Sequence, residues 1–279
     1  MKRNKRVVPV LKWVGGKRQL LDGLSSLLPG KIMRYCEPFV GGGALLFNLQ
    51  PKTAYVNDVN DELIRVYNVI KTDVEALIAA LREFKNEAEY FYAVRDWDRD
   101  KETYSSLSDV KKAARVLYLN KTCYNGLFRV NSAGEFNAPF GNYRNPNIVN
   151  APTLRAVSSY LNTAAIHLTC LDYAEALKPL PKGTFVYLDP PYDPISETSN
   201  FTGYSRGGFT RDDQIRLREC CDDLDKRGMK FMLSNASTDF IKEQYAAYPI
   251  TIVQAKRSVN SNSTKRGEID EVVVRNYRH

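Results

Sequence analysis

Residues 185–236 constrain the fold most tightly. Two apolar, strand-like runs, "FVYLD" and "KFMLSN", are separated by "TRDDQIRLRECCDDLDKRG", a helix-like stretch with Thr210 and Asp213 placed as a capping box and Gly228 at its end. A helix of that length between two strands implies a crossover, and a crossover joins parallel neighbours. The same grammar recurs upstream. "MRYCEPF" and "TAYVND" read as short buried strands, and "NDELIRVYNVIK" puts Leu63, Tyr67 and Ile70 on one helical face behind Asn60 as N-cap, with Asp61 and Glu62 in the first turn. "IDEVVVRNY" reads as a last strand. The expected fold is α/β, a doubly wound, mostly parallel sheet that offers a ligand its carboxyl edge.

The middle of the chain differs. Residues 73–122 read as mainly helical, and "CYNGLFRVNSAGEFNAPFGNYRNPN" (123–147) is rich in Asn, Gly and aromatics, with "SAG" as a hairpin-turn candidate. Residues 60–150 are therefore expected to form an inserted, mainly helical plus β-hairpin region packed against a core made of 1–59 and 151–279. A formal charge of +8 favours a polyanionic partner such as nucleic acid. The basic "MKRNKR" is followed only by "VVPVL", too short for a signal segment or a membrane span. Five cysteines without a C-x-x-C pair, and histidines only at His167 and His279, indicate no disulfide framework and no metal site, and fit a reducing cytoplasm.

Two strand ends carry chemistry. "EPFVGGGALLFN" places Gly41, Gly42 and Gly43 after a strand and before a helix, where the absent side chains let a ligand approach the backbone; a tight turn explains them equally well. The third glycine of G-x-G-x-x-G would fall at Leu46, which weakens a nicotinamide reading. Asp58 ends the next strand, where an acid can accept ribose hydroxyls or merely cap a helix. "DPPY" at 189–192 could be a strand terminator, since neither Pro190 nor Pro191 can donate to a ladder. That leaves Asp189 and Tyr192 unexplained, and the four residues together recur by chance in only about one chain in a thousand. An amino group on an aromatic base is a poor nucleophile because its lone pair is delocalised. The Asp189 carboxylate and the Pro190 carbonyl can hold its two N–H groups while Tyr192 stacks on the base.

With these motifs in hand, the chain resembles the Dam-type DNA adenine methyltransferases, of the group whose cofactor motif precedes the recognition region and then D-P-P-Y. The resemblance runs almost end to end: "LKWVGGKRQLL", "EPFVGGGALLF", "NDVNDELI", "NKTCYNGLFRVNSAGEFNAPFGNYRNP", "FVYLDPPYDPISETSNFTGY" and "RSVNSNSTKRGEIDEVVVRNY" follow that family's order. It implies a Rossmann-like methyltransferase sheet and S-adenosylmethionine held by Trp13, Lys17, Phe39, Gly41, Gly43, Asp58, Asp172, Tyr173 and Asp189. It implies double-stranded DNA as partner, read by Lys12, Tyr124, Asn125, Leu127, Arg129, Asn137, Pro139 and Tyr143. Arg129 is the candidate for bidentate contact with guanine, and Leu127 or Pro139 for a thymine methyl. "KRSVNSNSTKRG" (256–267) carries four basic residues and no acid, which suits phosphate contact by Arg257, Asn260, Lys265 and Arg266; a solvated loop is the plain alternative.

The activity so implied is methylation of adenine N6 in duplex DNA, within GATC, with the base flipped out. A cognate restriction endonuclease that forms no stable complex is compatible with it. Methylation of an amino group in RNA and a catalytically silent DNA-binding protein are the competing readings. The intact Asp189 and Tyr192 count against the second.

Overall fold

The computed structural model describes residues 3–13, 15, 17, 20–194, 208–256 and 268–278. Its strands are β1 (Arg34–Glu37), β2 (Thr53–Asn57), β3 (Ala165–Thr169), β4 (Thr184–Leu188), β5 (Lys230–Ala236), β6 (Ile250–Lys256) and β7 (Glu268–Arg275), in the sheet order β3-β2-β1-β4-β5-β7-β6. The five strands from β3 to β5 are parallel, and β7 runs antiparallel to both β5 and β6. This is the Rossmann-like α/β sheet that the strand-helix-strand grammar calls for.

Central strands of such a sheet are covered on both faces, so alternate residues enter two different cores. Phe185 and Tyr187 of β4 join Tyr35, Met232 and Val273 on one side; Val186 and Leu188 join Cys36, Phe231, Leu233, Val272 and Val274 on the other. Both edge strands, β3 and β6, escaped the sequence reading. β3 leaves Ala165, His167 and Thr169 exposed, and stacks the His167 ring on Tyr55 at 5.0 Å, so it lacks the apolar run that marked its neighbours.

Helix ends follow the local signals. Asn60 caps Asp61–Thr72 by accepting from Leu63 N, and Leu63, Tyr67 and Ile70 are all buried. Thr210 and Asp213 form both bonds of a capping box ahead of Arg211–Lys226, and Gly228 beyond its end takes φ +70°. The helices Asp61–Thr72, Val74–Arg82, Ala88–Arg95, Asp109–Thr122 and Ala151–Thr163 share one hydrophobic core with the sheet face carrying Phe185 and Tyr187. Among the described residues no helix is long and apolar enough to cross a membrane.

The expected hairpin is a looser ribbon, with only two isolated antiparallel bridges, Cys123↔Phe140 and Val130↔Phe136. Its turn closes through Gly134 N to Asn131 O and Asn131 N to Glu135 O, both 2.9 Å, with Gly134 at φ +80°. A side-chain clamp supplements these two bridges. Asp98 Oδ2 accepts Phe136 N at 2.8 Å, and Arg99 Nη2 donates to Phe136 O at 2.8 Å. Asp98 is in turn paired with Arg115 at 2.8 Å, and Arg115 also donates to the carbonyls of Val94 and Arg95. Asp98 and Arg115 are 7% and 3% exposed, so neither charge has water to fall back on. Asp98→Ala strands the guanidinium and should cost about 3–5 kcal/mol in chemical denaturation, with Asp98→Asn milder. A loss below about 1 kcal/mol would mean that aromatic packing alone holds the ribbon.

Candidate active site

In an open α/β sheet, ligands sit where neighbouring strands lead their connections in opposite directions. Here that point lies between β1, which continues to β2, and β4, which continues to β5. The loops leaving β1 and β4 carry the glycine run and Asp189.

Gly41 (φ +47°) and Gly43 (φ +67°) both adopt the left-handed region. Space matters as well as torsion: a Cβ on Gly41 would come within 2.9 Å of the Trp13 indole, and one on Gly43 within 2.9 Å of the Phe47 ring. Asp58 ties this loop to the end of β2, accepting Gly41 N at 2.9 Å on one oxygen and Asn60 N at 3.0 Å on the other. Burial raises its pKa, opposed by those backbone donors. Because Asn60 is the helix cap, Asp58 is left for the loop. Asn57, overlooked in the sequence, binds three strand ends: its amide donates to Pro38 O and Leu171 O, and accepts from Leu171 N and Thr169 Oγ1.

Phe39 lies 5.1 Å from Tyr173 and 6.0 Å from Phe209, which build an aromatic wall beside the loop. Val59 and Leu171, 61% and 46% exposed, add apolar surface at the ends of β2 and β3. Asp172 is occupied: it caps Tyr173–Leu177 through Ala174 N and pairs with both terminal nitrogens of Arg216, whose guanidinium lies 4.8 Å from the Tyr173 ring. Its capping role is therefore real.

β4 is buried along its whole length and ends by presenting Asp189 at the sheet edge. Lys17, 5% exposed, brings its ammonium to 3.0 Å from Asp189 Oδ1 and to 3.8 Å from Glu271 Oε2. The same ammonium sits 4.2 Å from the Tyr192 ring centroid, and the Tyr192 hydroxyl donates to Glu271 at 2.6 Å. Burial lifts Asp189 to about 6, against the lowering effect of Lys17. Glu37, at the end of β1, is lifted by burial to about 8 although Tyr35 donates to it at 2.8 Å. Behind the prolines, Gln214 donates to Pro191 O at 2.9 Å and Asn235 accepts Asp193 N at 3.1 Å. The loop is thus both a strand terminator and a firmly held platform. Glu37, Asn57, Asn235 and Glu271 went unseen in the sequence because each is one polar residue ending or starting an apolar run.

The other predicted residues gather around the ribbon. Lys12 reaches the carbonyl of Asn125 and exchanges backbone bonds with the Asn120 amide. Trp13 stacks on Phe128 at 4.8 Å, which joins the glycine loop to the ribbon. Asn125 (φ +59°) and Gly126 turn the chain, while Leu127 is half-buried. Tyr124, Pro139 and Tyr143 are exposed, with Tyr124 N bonded to Pro139 O. Arg129 is half-buried and folded onto Asn137, donating to its side-chain oxygen at 2.8 Å and its carbonyl at 3.1 Å. Arg257, Asn260, Lys265 and Arg266 lie outside the described residues.

A buried carboxylate with an adjacent ammonium, an aromatic ring beside it and a glycine loop across the strand gap can accept N–H donors from a flat ligand. Comparison with known proteins specifies the chemistry. Residues 13–259 match the model of the D12 class N6 adenine-specific DNA methyltransferases. The chain is 44% identical to the type II methyltransferase M1.LlaDCHI of Lactococcus lactis subsp. cremoris, over 96% of this chain and 95% of that protein. It is 42% identical to the type II methyltransferase M.MjaIII of Methanocaldococcus jannaschii, over 97% and 99% respectively. It is 35% identical to the DNA adenine methylase of Escherichia coli K12, over 98% and 96%. With the motif order, the sheet and these matches in agreement, the chain belongs to the D12 class of N6 adenine-specific DNA methyltransferases.

Proposed function

We propose that the protein moves the methyl group of S-adenosylmethionine to the N6 amino group of an adenine that has swung out of duplex DNA, within GATC. The observation that carries this is the placement of Asp189 and Tyr192 across the β1–β4 gap from the Gly41 loop and Asp58. The residues fit the cofactor. Asp58 offers carboxylate lone pairs to a ribose diol, Gly41 and Gly43 keep the loop bare, and Phe39, Tyr173 and Trp13 supply aromatic surface. When bound, S-adenosylmethionine supplies an electrophilic sulfonium methyl.

The protein's own part is to hold and desolvate. Asp189 and the Pro190 carbonyl accept the two N–H groups of the adenine, which aims the nitrogen lone pair away from the ring plane. Tyr192 stacks on the base, and the buried surroundings of Asp189 exclude water that would weaken those bonds. A paired adenine cannot bring its amino group to a buried carboxylate, which is why extrusion is required. Residues 60–150 act as the inserted target-recognition region on a catalytic domain of 1–59 and 151–279. Arg129 leaves Asn137 to contact guanine; Tyr124 enters the gap in the base stack; Lys12, Asn125, Leu127, Pro139 and Tyr143 line the same surface. Arg257, Asn260, Lys265 and Arg266 take phosphates. A cognate restriction endonuclease, where present, recognises the same site without binding this chain.

The test is single-turnover transfer of labelled methyl to duplexes, with the product base mapped. Label should enter N6 of adenine in GATC. Asp189→Ala should slow transfer by about a hundredfold to a thousandfold or more, and Tyr192→Ala should cost more than Tyr192→Phe because stacking needs the ring. Near-normal transfer in Asp189→Ala would return "DPPY" to a purely structural role. Competition on singly substituted sites checks the recognition surface: Arg129→Ala should relax one base pair by about 1–3 kcal/mol, whereas an equal loss on all sequences would make Arg129 a phosphate contact.

A further inference from the structure

Glu271 lies inside the last quoted stretch, where no role was assigned to it, yet it contacts both Tyr192 and Lys17 at the site. Because β7 runs antiparallel to β5, its first residues enter the sheet at the carboxyl edge, where β1, β4 and β5 end. Glu271 stands opposite Ala236 of β5 and Val253 of β6. Alternation along β7 gives it the same face as Val273, and alternation along β4 gives Asp189 the face of Phe185 and Tyr187. Both carboxylates therefore project to one side of the sheet, with Lys17 between them at 3.0 Å and 3.8 Å.

Tyr192 has two rotations to fix before it can serve as a stacking surface. Its hydroxyl lies on the axis of the ring flip, so the 2.6 Å bond to Glu271 fixes where that axis points. The Lys17 ammonium, 4.2 Å from the ring centroid, covers one face and fixes the rotation about the axis. Glu271 touches both devices.

We propose that Glu271 is a positioning residue for methyl transfer: acting through the Tyr192 hydroxyl and the Lys17 ammonium, it sets the plane on which the target adenine stacks beside Asp189. The proposal rests on the assignment of Asp189 and Tyr192 made above. It has an electrostatic corollary. The titratable groups facing Asp189 are Lys17 from the N-terminal segment, Glu37 at the end of β1, Tyr187 of β4, Tyr192 in the loop and Glu271 of β7. Glu271 is the like charge that shares Lys17, so removing its charge makes Asp189 easier to ionise.

The experiment compares Glu271→Gln, Tyr192→Phe and the double variant in single-turnover transfer at saturating DNA and cofactor, from about pH 5 to about pH 8, with cofactor affinity by calorimetry. Each single change should slow transfer about fivefold to twentyfold, and the double should be no slower than the slower single within about twofold, since both cut the same link. The acid limb of Glu271→Gln should move to lower pH, and its cofactor affinity should stay within about threefold of the unaltered protein. Losses that multiply in the double variant would overturn the proposal, as would a Glu271→Gln protein matching the unaltered one in rate and acid limb. If Glu271→Gln does not fold, Tyr192→Phe carries the same expectation, and an unaltered rate there overturns the proposal as well. Retained transfer in Asp189→Ala, run alongside, would instead locate the fault in the assignment of the site.

Discussion

The ion pair between Lys17 and Asp189 is what the rest of the site is arranged around. A carboxylate at the end of a fully buried strand favours its neutral form, and a neutral acid is a weaker acceptor for an amino group. The ammonium at 3.0 Å opposes that tendency and favours the charged carboxylate. Two such charges survive burial only together. The N-terminal segment brings them together by placing Lys17 against the end of β4, where Asp189 leaves the sheet.

The N-terminal segment does more than supply Lys17. Within residues 12–17, Lys12 is bonded to Asn120 and Asn125, Trp13 lies between Gly41 and Phe128, and Lys17 meets Asp189. Residues of one short stretch thus touch the 123–147 ribbon, the glycine loop and the acid. The ribbon is held in turn by Asp98, which accepts Phe136 N and pairs with Arg115.

Much of this was legible locally. Asn60, the Thr210–Asp213 box and Gly228 mark helix ends through bonds made within a few residues, and the apolar runs of β4 and β5 reflect burial on both faces. Asp58 and Asp189, just beyond β2 and β4, were legible because each is an acid where an apolar run gives way to a glycine-, proline- or asparagine-bearing loop, whereas Glu37 and Asn57, the last residues of β1 and β2, were not. What escaped depends on distant partners. β3 and β6 are edge strands with one face open, so their composition is mixed. Glu271 meets Tyr192 across 79 residues, Arg115 meets Asp98 through tertiary packing, and nothing in the neighbouring sequence marks either contact. The resemblance points Asp172 toward the cofactor; its carboxylate is also engaged by Arg216 and by its own helix.

The central claim is that Lys17 keeps Asp189 ionised for its part in transfer, and the pH dependence of single-turnover methyl transfer tests it most directly. Asp189 stands at about 6, well above an ordinary aspartate, so the rate of the unaltered protein should rise with pH through about 6 as the carboxylate ionises, then level off. Lys17→Met keeps the bulk and removes the charge, which raises the pKa further. Its acid limb should move to higher pH by about one unit or more. An acid limb left in place, or moved to lower pH, would contradict the account.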